Sequence, residues 1–342
     1  MNKPATIKDI AKQLNVSIST VSRAMRNAPD VNNETKKAVM ALAEELNYQP
    51  NRLALSLRQK QTHTIGVIVP NLDYVLSMMV RGIDEVALEA GYTVMVCQSN
   101  ESFGREIVNT RRLLESLVDG FIISVSSETK SFEHFKKIQE RGIPMIVFDR
   151  TTPHLTAPTV HLDNEEGGFM ATEHLLEQGY KRIAILAGPK NLGISNRRMD
   201  GYMNALKKYK IKPDPTLMIH CDFNQDYAYF ATEELLAMKK KPDAIFAISD
   251  RMGIGASLAI KKKGLSMPDD IALVSFNNEP IVSLVTPGIS SVEMPSFEMG
   301  KAAAKLFIET MHHPEDMSGV ERIFKPKLFI RESSQKSLVK KL

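Results

Sequence analysis

The chain has 342 residues, 43% of them hydrophobic and 25% charged, which are ordinary values for a globular protein with room for two or three domains. No apolar run reaches the ~18 residues of a transmembrane helix, and the start, MNKPATIKDI, lacks the apolar stretch of a signal peptide. Cys97 and Cys221 lie far apart in apolar runs without a motif, so we expect reduced, buried thiols. These features predict a cytoplasmic protein.

The net charge of +4 is concentrated at one end of the chain. Residues 1–60 hold six Lys and four Arg against two Asp and three Glu, a net charge of +5, so the remaining residues sum to −1. A basic segment joined to a nearly neutral body favours contact with a polyanion. On charge alone, a solvated basic surface is the alternative.

Three short helices are predicted within residues 1–46. Thr6 is placed to begin the first, with Asp9 as an acidic variant of the capping box, and Ser17 and Asn32 are placed to begin the second and third. About three residues link the first two helices, a spacing typical of a helix-turn-helix motif. The predicted inward faces are Ile7, Ile10, Ala11 and Leu14; Val21, Ala24 and Met25; and Ala38, Val39, Leu42, Ala43 and Leu46.

The second helix has an unusual outward face, which consists of Ile18, Ser19, Ser22 and Arg23. In the major groove of DNA, an isoleucine can meet a thymine methyl group and an arginine can pair with guanine O6 and N7. Ser17, Thr20 and the helix N-terminus can hold phosphates. The pattern therefore favours DNA reading, with a plain three-helix module as the alternative.

The stretch NYQPNRLALSLRQKQ, which follows these helices, contains a second amphipathic pattern. Leu53, Ala54 and Leu57 form a narrow apolar stripe, and Arg52 and Arg58 bracket it. Isolated helices shorter than ~12 residues are marginal in water, so this helix needs a partner for its stripe.

From Thr64 onward, apolar strand runs alternate with segments of helical pattern. The runs are TIGVIVP, TVMVCQS, GFIISV, PMIVFDR, RIAILAG, AIFAISD and IALVSF. Near-continuous apolar strands that alternate with helices predict parallel sheets covered on both faces. The strands are too many for one sheet, so we expect an α/β body of two lobes.

Polar residues follow several of these strands, at the position where open α/β sheets bind their ligands. They are Ser124, Asp149, Arg150, Ser249, Asp250 and Asn277. Arg198 begins a helix in RRMDGY, and Phe223 follows the run LMIHCD. Asp163, in HLDNEEGG, is predicted to cap a helix or to fix the junction of the lobes.

Signals for a cofactor or a reaction are missing from the sequence. GIGASL follows a strand as a dinucleotide loop does, but the third glycine position holds Leu258. His312 and His313 lack the Cys or Glu spacing of a zinc site, and no nucleophile and base have motif support. The sequence therefore predicts no cofactor, no metal ion and no enzymatic activity.

An ordered set of motifs carries a family resemblance along nearly the whole chain. TIKDIAKQLNVSISTVSRAMRN and VNNETKKAVMALAEELNYQPNRLALSLR closely resemble the DNA-binding head of the LacI/GalR repressors. The likeness continues through VDGFIIS, VFDR, DNEEGG, HLLEQGYKRIAILAGP, RRMDGY, PDAIFAISDRMGIGA and FIRESS. A single motif would be weak, but this order is specific to the family.

The resemblance implies an N-terminal all-α helix-turn-helix head at 1–46, a hinge helix and linker at 47–61, and a two-lobed α/β body similar to type I periplasmic binding proteins. Its lobes are expected at 62–161 with 291–323 and at 162–290 with 324–342. In this family the hinge helix folds when two protomers sit on an operator, and the leucine matched by Leu57 enters the minor groove.

The implied partners are near-palindromic double-stranded operator DNA, no membrane, and a second copy of the chain, as a homodimer or a dimer of dimers. The tail lacks a clear leucine heptad, which favours the dimer. Expected DNA-binding residues are Thr6, Ser17, Ile18, Ser19, Thr20, Ser22, Arg23, Asn27, Asn51, Arg52, Ala54, Leu57 and Arg58.

The resemblance also implies a small-molecule effector, a sugar or sugar derivative, bound between the lobes. Arg198 is expected to clamp hydroxyls or a carboxylate, and Phe223 to stack on the ligand. The expected effector-binding residues are Ser124, Asp149, Arg150, Arg198, Phe223, Ser249, Asp250 and Asn277.

Three departures from the family pattern bear on that ligand. Ser249 stands where Asn is usual, Asn277 stands where Asp is usual, and an aromatic pair near Val75 and Leu76 is absent. Replacing Asp by Asn removes a charge and adds a donor, which leaves room for an anionic or substituted sugar.

The predicted function is a DNA-binding transcriptional repressor controlled by this effector, which can be an inducer or a corepressor. The alternatives are a solute-binding protein that serves a transporter and a nucleotide-dependent dehydrogenase. The basic head and the missing signal peptide argue against the first, and the missing glycine fingerprint argues against the second.

Overall fold

The computed structural model describes residues 5–48, 61–313, 315, 317 and 319–336. The chain divides into two compact units, Met1–Thr62 and His63–Leu342, called here the head and the body. The predicted hinge residues Asn51, Arg52, Ala54, Leu57 and Arg58 lie outside the described residues.

The head contains three helices, α1 (Ile7–Gln13), α2 (Ile18–Met25) and α3 (Asn33–Glu45). All three predicted starts are confirmed. The Thr6 amide donates to Oδ2 of Asp9 at 2.8 Å, the Ser17 hydroxyl accepts from the Thr20 amide at 3.0 Å, and Oδ1 of Asn32 accepts from the Glu34 amide at 2.8 Å. Each side chain satisfies a backbone group that the first helical turn leaves unpaired.

The core of the head is small and is centred on Ile10, Val21 and Val39, one fully buried residue from each helix. Ala38 was predicted to face inward, but it is exposed. Successive helix positions are about 100° apart, so Val39 occupies the inward direction and turns Ala38 away. Asn15 adopts a left-handed backbone (φ 52°) in the turn between α1 and α2.

The body contains twelve strands, nine further α-helices and a short 3-10 helix (Pro215–Leu217) among its described residues. The strands are Thr64–Val69 (β1), Thr93–Gln98 (β2), Gly120–Ile123 (β3), Met145–Phe148 (β4), Thr159–Leu162 (β5), Ile183–Ala187 (β6), Met218–His220 (β7), Ala244–Ala247 (β8), Ala272–Asn277 (β9), Ser290–Glu293 (β10), Glu321–Phe324 (β11) and Lys327–Phe329 (β12). The helices are Tyr74–Glu89 (α4), Phe103–Glu115 (α5), Glu133–Glu140 (α6), Asn164–Glu177 (α7), Gly193–Lys208 (α8), Gln225–Ala237 (α9), Asp250–Lys262 (α10), Ile281–Leu284 (α11) and Ser296–His312 (α12).

The strands form two six-stranded sheets, which confirms the predicted two-lobed α/β architecture. The first sheet has the order β11-β5-β4-β3-β1-β2 and is parallel throughout. The second has the order β12-β10-β9-β8-β6-β7, and only its edge strand β12 is antiparallel. The central strands are buried because helices cover both faces, which explains their continuous apolar runs.

The chain crosses between the two sheets three times within the described residues. The crossings follow β5, β10 and β11, so β10 belongs wholly to the second lobe and β11 wholly to the first. The expected lobe limits at 161/162, 290/291 and 323/324 cut β5, β10 and β11, and the crossings lie just beyond these limits. Asp163 sits at the first crossing; it caps α7 by accepting from the Glu166 amide and pairs with Lys325 at the third crossing at 2.9 Å.

No helix in the described part of the chain is long and apolar enough to span a membrane. Cys97 and Cys221 are both free thiols. Cys221 is buried as predicted, but Cys97 is only half-buried because β2 is an edge strand.

Candidate functional site

The outward face of α2 presents apolar and polar groups together. Ile18 is 45% exposed although it is apolar, and Ser19 and Arg23 are exposed beside it, while Ser22 is half-buried. Val21 and Ala24 on the opposite side are buried, so packing accounts for one face of the helix only. The exposed face has the mixed apolar and donor character that base edges require.

Three hydroxyl groups cluster at the N-terminus of α2. The Ser17 oxygen lies 2.7 Å from that of Ser19 and 2.8 Å from that of Thr20. Hydroxyls at a helix N-terminus can donate to phosphate oxygens while the helix dipole favours negative charge. Thr6 is already engaged, since its hydroxyl donates to Asp9 at 2.7 Å.

Arg23 forms an ion pair that the sequence did not suggest. Its Nη1 donates to Oδ2 of Asp30 at 2.8 Å, and both side chains are about half exposed. An exposed pair of this kind contributes roughly 0–1 kcal/mol, so DNA can displace Asp30 at little cost. Asn27 follows α2 with a left-handed backbone (φ 54°), and its carbonyl accepts from Lys36 at 3.5 Å.

The body contains a cavity of about 770 Å³ that residues from both lobes line. Six of the eight predicted effector-binding residues line it: Asp149, Arg150, Arg198, Phe223, Ser249 and Asn277. Each of them except Arg198 follows or ends a strand, so the carboxyl edges of both sheets contribute to the cavity.

Arg198 is the most constrained of these residues, with only 2% of its surface exposed. Its Nε donates to Oδ1 of Asn164 at 2.8 Å, and its Nη1 donates to the carbonyl of Ile248 at 2.5 Å. The guanidinium also lies 3.6 Å from the ring centroid of Phe276. Burial lowers the pKa of Arg198 to about 9, although Asp149 and Asp250 act to raise it.

Among the described residues, no hydrogen bond engages Nη2 of Arg198. Three features therefore fix the plane of the guanidinium, and one nitrogen is left to donate to a ligand. This fixed geometry suits directional hydrogen bonding to a hydroxyl or carboxylate.

Several residues that line the cavity have strained backbone conformations. Asp149 (φ 59°), Asp222 (φ 48°), Phe223 (φ 55°) and Asn277 (φ 113°) all adopt positive φ values that L-residues disfavour. Each such residue costs about 1–3 kcal/mol, and such residues cluster at ligand sites, where the strain serves to aim side chains.

The ring of Phe223 lies against Gly188, at the carboxyl end of β6. A Cβ at Gly188 would lie 2.7 Å from the Phe223 ring, so any larger residue there would displace it. Val75 and Leu76 of the first lobe and Met294 add further apolar lining. The cavity thus offers an aromatic face among polar groups, although the family's usual aromatic pair is missing.

Ser124 and Asp250 do not line the cavity, unlike the other six predicted residues. Ser124 is fully buried at the end of β3. The Asp250 carboxylate is also fully buried and accepts from the Ser275 hydroxyl, from the Ser291 hydroxyl at 2.7 Å and from the Glu279 amide at 2.6 Å. Burial raises the pKa of Asp250 to about 7 despite these three bonds, and its contacts tie α10 to β9 and β10.

Two ion pairs in the cavity were not predicted. Glu101 accepts two parallel bonds from Arg150, each 2.8 Å long, and Arg251 of α10 pairs with Asp73 at the start of α4 at 2.9 Å. The second pair joins the two lobes across the cavity. Neither acid follows a buried strand in a recognisable motif, so the sequence carried no signal for these pairings.

Comparisons with known proteins agree with this architecture. The family described as "Bacterial regulatory proteins, lacI family" matches residues 6–51, and the family described as "Periplasmic binding proteins and sugar binding domain of LacI family" matches residues 62–332. The chain is 33% identical over 332 residues to the ribose operon repressor of Halalkalibacterium halodurans, covering 96% of this chain and 97% of that protein. It is 32% identical to the transcriptional repressor CytR of Escherichia coli, covering 97% and 96%.

Solved structures show the same similarity. The lac repressor dimer bound to operator and the anti-inducer ONPF matches with a TM-score of 0.88 and 25% identity, covering 98% of this chain and 100% of that chain. A LacI family regulator from Enterococcus faecium with bound ribose matches with a TM-score of 0.70 and 27% identity, covering 80% and 100%. The chain therefore belongs to the LacI family of bacterial regulatory proteins, and it is a DNA-binding transcriptional repressor controlled by a small-molecule effector.

Proposed function

We propose that this repressor binds a near-palindromic operator as a homodimer, and that a sugar or related polyhydroxylated metabolite in the cavity controls that binding. The observation that carries the proposal is the cavity itself. It joins both lobes, presents fixed guanidinium and carboxylate groups and an aromatic ring, and belongs to a chain whose head exposes a helix-turn-helix.

A sugar suits the chemistry of this cavity. Sugars present hydroxyl groups that both donate and accept, together with apolar ring faces that pack on aromatic rings. Arg198 and Asn277 can donate, Asp149 can accept, and Phe223 can stack. The relatives named above include a ribose operon repressor and a ribose-bound regulator, which supports the same ligand class.

Control of DNA binding requires that the ligand favour one arrangement of the lobes. Two contacts across the cavity depend on the present arrangement of the lobes: Arg251 with Asp73, and the Asn191 side chain with the Ser127 carbonyl at 2.5 Å. A ligand that bridges the lobes would strengthen closure. The three chain crossings would then carry the change to the dimer interface.

The homodimer is proposed from the lac repressor dimer and from apolar groups exposed on the second lobe. Tyr227 and Phe230 of α9 and Leu258 of α10, two helices packed together, are each about half exposed, and Leu284 of α11 is largely exposed. Single exposed apolar residues are common, but several large ones on neighbouring helices favour an interface. Sedimentation or light scattering should give the mass of two chains; four chains would instead support a dimer of dimers.

The head is proposed to read bases through Ile18, Ser19, Ser22 and Arg23 and to hold phosphates through Ser17 and Thr20. In the hinge, Leu57 is proposed to enter the minor groove and bend the operator. The protein is proposed to act in the cytoplasm without enzymatic activity, as expected of a repressor.

A thermal-shift screen of sugars and related metabolites tests the ligand. A compound that binds only the folded state at about 100 times its Kd stabilises it by about 2.7 kcal/mol. We expect at least one sugar to raise the Tm, and Phe223→Ala to abolish the shift. Tyr209→Ala is the matched control, because this exposed aromatic residue lies outside the cavity lining and should leave the shift intact. If Tyr209→Ala loses the rise in Tm to the same extent as Phe223→Ala, the result contradicts the proposed site.

A further inference from the structure

We infer that the cavity selects an uncharged polyhydroxylated effector and rejects anionic derivatives such as sugar phosphates and uronates. This inference rests on the proposed role of the cavity as the effector site. It follows from the charges that line the cavity and from the partners those charges already have.

Two of the three cationic groups of the cavity are already paired with carboxylates. Arg150 is held by both carboxylate oxygens of Glu101 and also donates to the Val125 carbonyl at 3.3 Å. Arg251 is paired with Asp73. Arg198 has two of its nitrogens bonded within the protein. An anion would have to displace Glu101 from Arg150 or Asp73 from Arg251, and otherwise it meets only Nη2 of Arg198.

The acidic groups outnumber the cations. Among the described residues, the lining contains six carboxylates and three guanidinium groups, and it contains no lysine or histidine. Asp222, Asp226 and Glu279 form no ion pair with any described cation. The cavity therefore carries an excess of negative charge.

Burial shifts the pKa of two of these acids, the buried Asp149 and the half-buried Glu279. Burial raises the pKa of Asp149, although Arg150 and Arg198 act to lower it. Burial likewise raises the pKa of Glu279, although Asn277 and Arg251 act to lower it. In both cases burial disfavours the charged form of the carboxylate.

A phosphate ester would bring a further charge of about −1.5 to −2 into this site. It could displace Glu101 from Arg150, but that would leave the Glu101 carboxylate, which is partly buried, without its cation. Asn277 stands where an Asp is usual in the family, so the cavity has one negative charge fewer, but its acidic groups still outnumber its cations. Like charges in a site of low dielectric repel strongly, so the site discriminates against anions.

An uncharged polyol meets no such penalty. Its hydroxyls can donate to Asp149 and Glu279, and they can accept from Nη2 of Arg198 and from Asn277. The Phe223 ring covers an apolar face of the sugar. Every charged group then keeps its present partner.

Matched ligand pairs test the inference directly by calorimetry on the full-length protein. The pairs are ribose with ribose 5-phosphate, glucose with glucose 6-phosphate, and glucose with glucuronate. For any pair in which one member binds, we expect the uncharged member to bind at least tenfold more tightly. The ratio should shrink as ionic strength rises from about 20 mM to about 500 mM, because salt screens charge repulsion.

A charge variant separates electrostatics from shape. Asp222→Asn keeps the size of the side chain and suits the left-handed backbone at this position. It should reduce the ratio of affinities between the uncharged and the anionic member of each pair. Asp200→Asn is the control, since this exposed acid on α8 lies outside the lining and should leave the ratio unchanged.

The outcomes are distinct. An anionic member that binds as tightly as its uncharged partner, or more tightly, overturns the charge selection and leaves the cavity as an effector site. If no member of any pair binds and the thermal-shift screen also finds no sugar, the proposed function and this inference both fail.

Discussion

Replacement of Arg198 should show that one side chain serves both the stability of the body and effector binding. Arg198→Ala would leave the Asn164 amide oxygen and the Ile248 carbonyl without their donor, inside a region closed to water. It would also remove the guanidinium from the Phe276 ring and take a cation away from Asp149.

The expected cost follows from these contacts. An unsatisfied buried acceptor costs about 1–3 kcal/mol, and Arg198→Ala leaves two of them. We therefore expect Arg198→Ala to lower the free energy of unfolding by about 2–6 kcal/mol. Arg198→Lys keeps the charge and one donor, and we expect a loss of about 1–2 kcal/mol.

Urea unfolding of both variants measures the stability, and calorimetry with the sugar found by thermal shift measures the affinity. The lysine variant, which should stay folded, is expected to bind the sugar at least tenfold more weakly, because it lacks the planar fork that fixes two donors. Arg197→Lys is the control on the same helix, since Arg197 is exposed and should affect neither quantity. If Arg198→Lys is folded and binds the sugar normally, the ligand lies elsewhere and Arg198 is only a packing residue.

Four further changes test other parts of the molecule. Arg23→Ala should weaken binding to the preferred operator by about 1–3 kcal/mol and relax base choice at one symmetric pair of positions. Equal weakening of binding to all DNA sequences would instead identify Arg23 as a phosphate contact. Arg251→Ala removes an exposed pair between the lobes, so calorimetry should show a loss of effector affinity of about two- to fivefold, and an unchanged affinity would rule out its role in closure. Burial raises the pKa of Asp250 to about 7, so this carboxyl group binds its proton more tightly in the folded than in the unfolded protein. Its contribution to the free energy of unfolding is therefore complete below pH ~4. It falls by up to about 4 kcal/mol as the pH rises to ~7. Asp250→Asn should remove that slope in urea unfolding across this range, and identical slopes would contradict the assignment. Leu57→Ala should reduce DNA bending in a gel-shift or energy-transfer assay while the body stays folded, and normal bending would refute the proposed wedge.

Much of the fold could be predicted because local rules and burial agree. The caps at Thr6, Ser17 and Asn32 follow from side-chain oxygens that satisfy free amides, and each one is a local property of the chain. The parallel sheets follow from apolar runs that only burial on both faces explains. The exact crossings could not be predicted, because neither β10 (SSVE) nor β11 (ERIF) is an apolar run and only strand pairing assigns them to different sheets.

The candidate site could be predicted where a residue follows a strand, because topology brings strand ends together. Asp149 and Asn277 were found in this way. The same rule placed Asp250 in the site, but its carboxylate is buried and accepts hydrogen bonds from the hydroxyls of Ser275 and Ser291. Glu101 could not be found, since its pairing with Arg150 depends on three-dimensional proximity alone.

The central claim is that a small molecule in the body controls sequence-specific DNA binding by the head. The direct measurement is a titration of the protein, with and without the sugar found by thermal shift, against an operator selected from random DNA. At near-physiological salt we expect a near-palindromic site bound at least about a thousandfold more tightly than random sequence. We expect the sugar to change that affinity at least fivefold in one direction, a coupling of about 1 kcal/mol or more. A sugar that binds the body but leaves operator affinity unchanged would contradict the account.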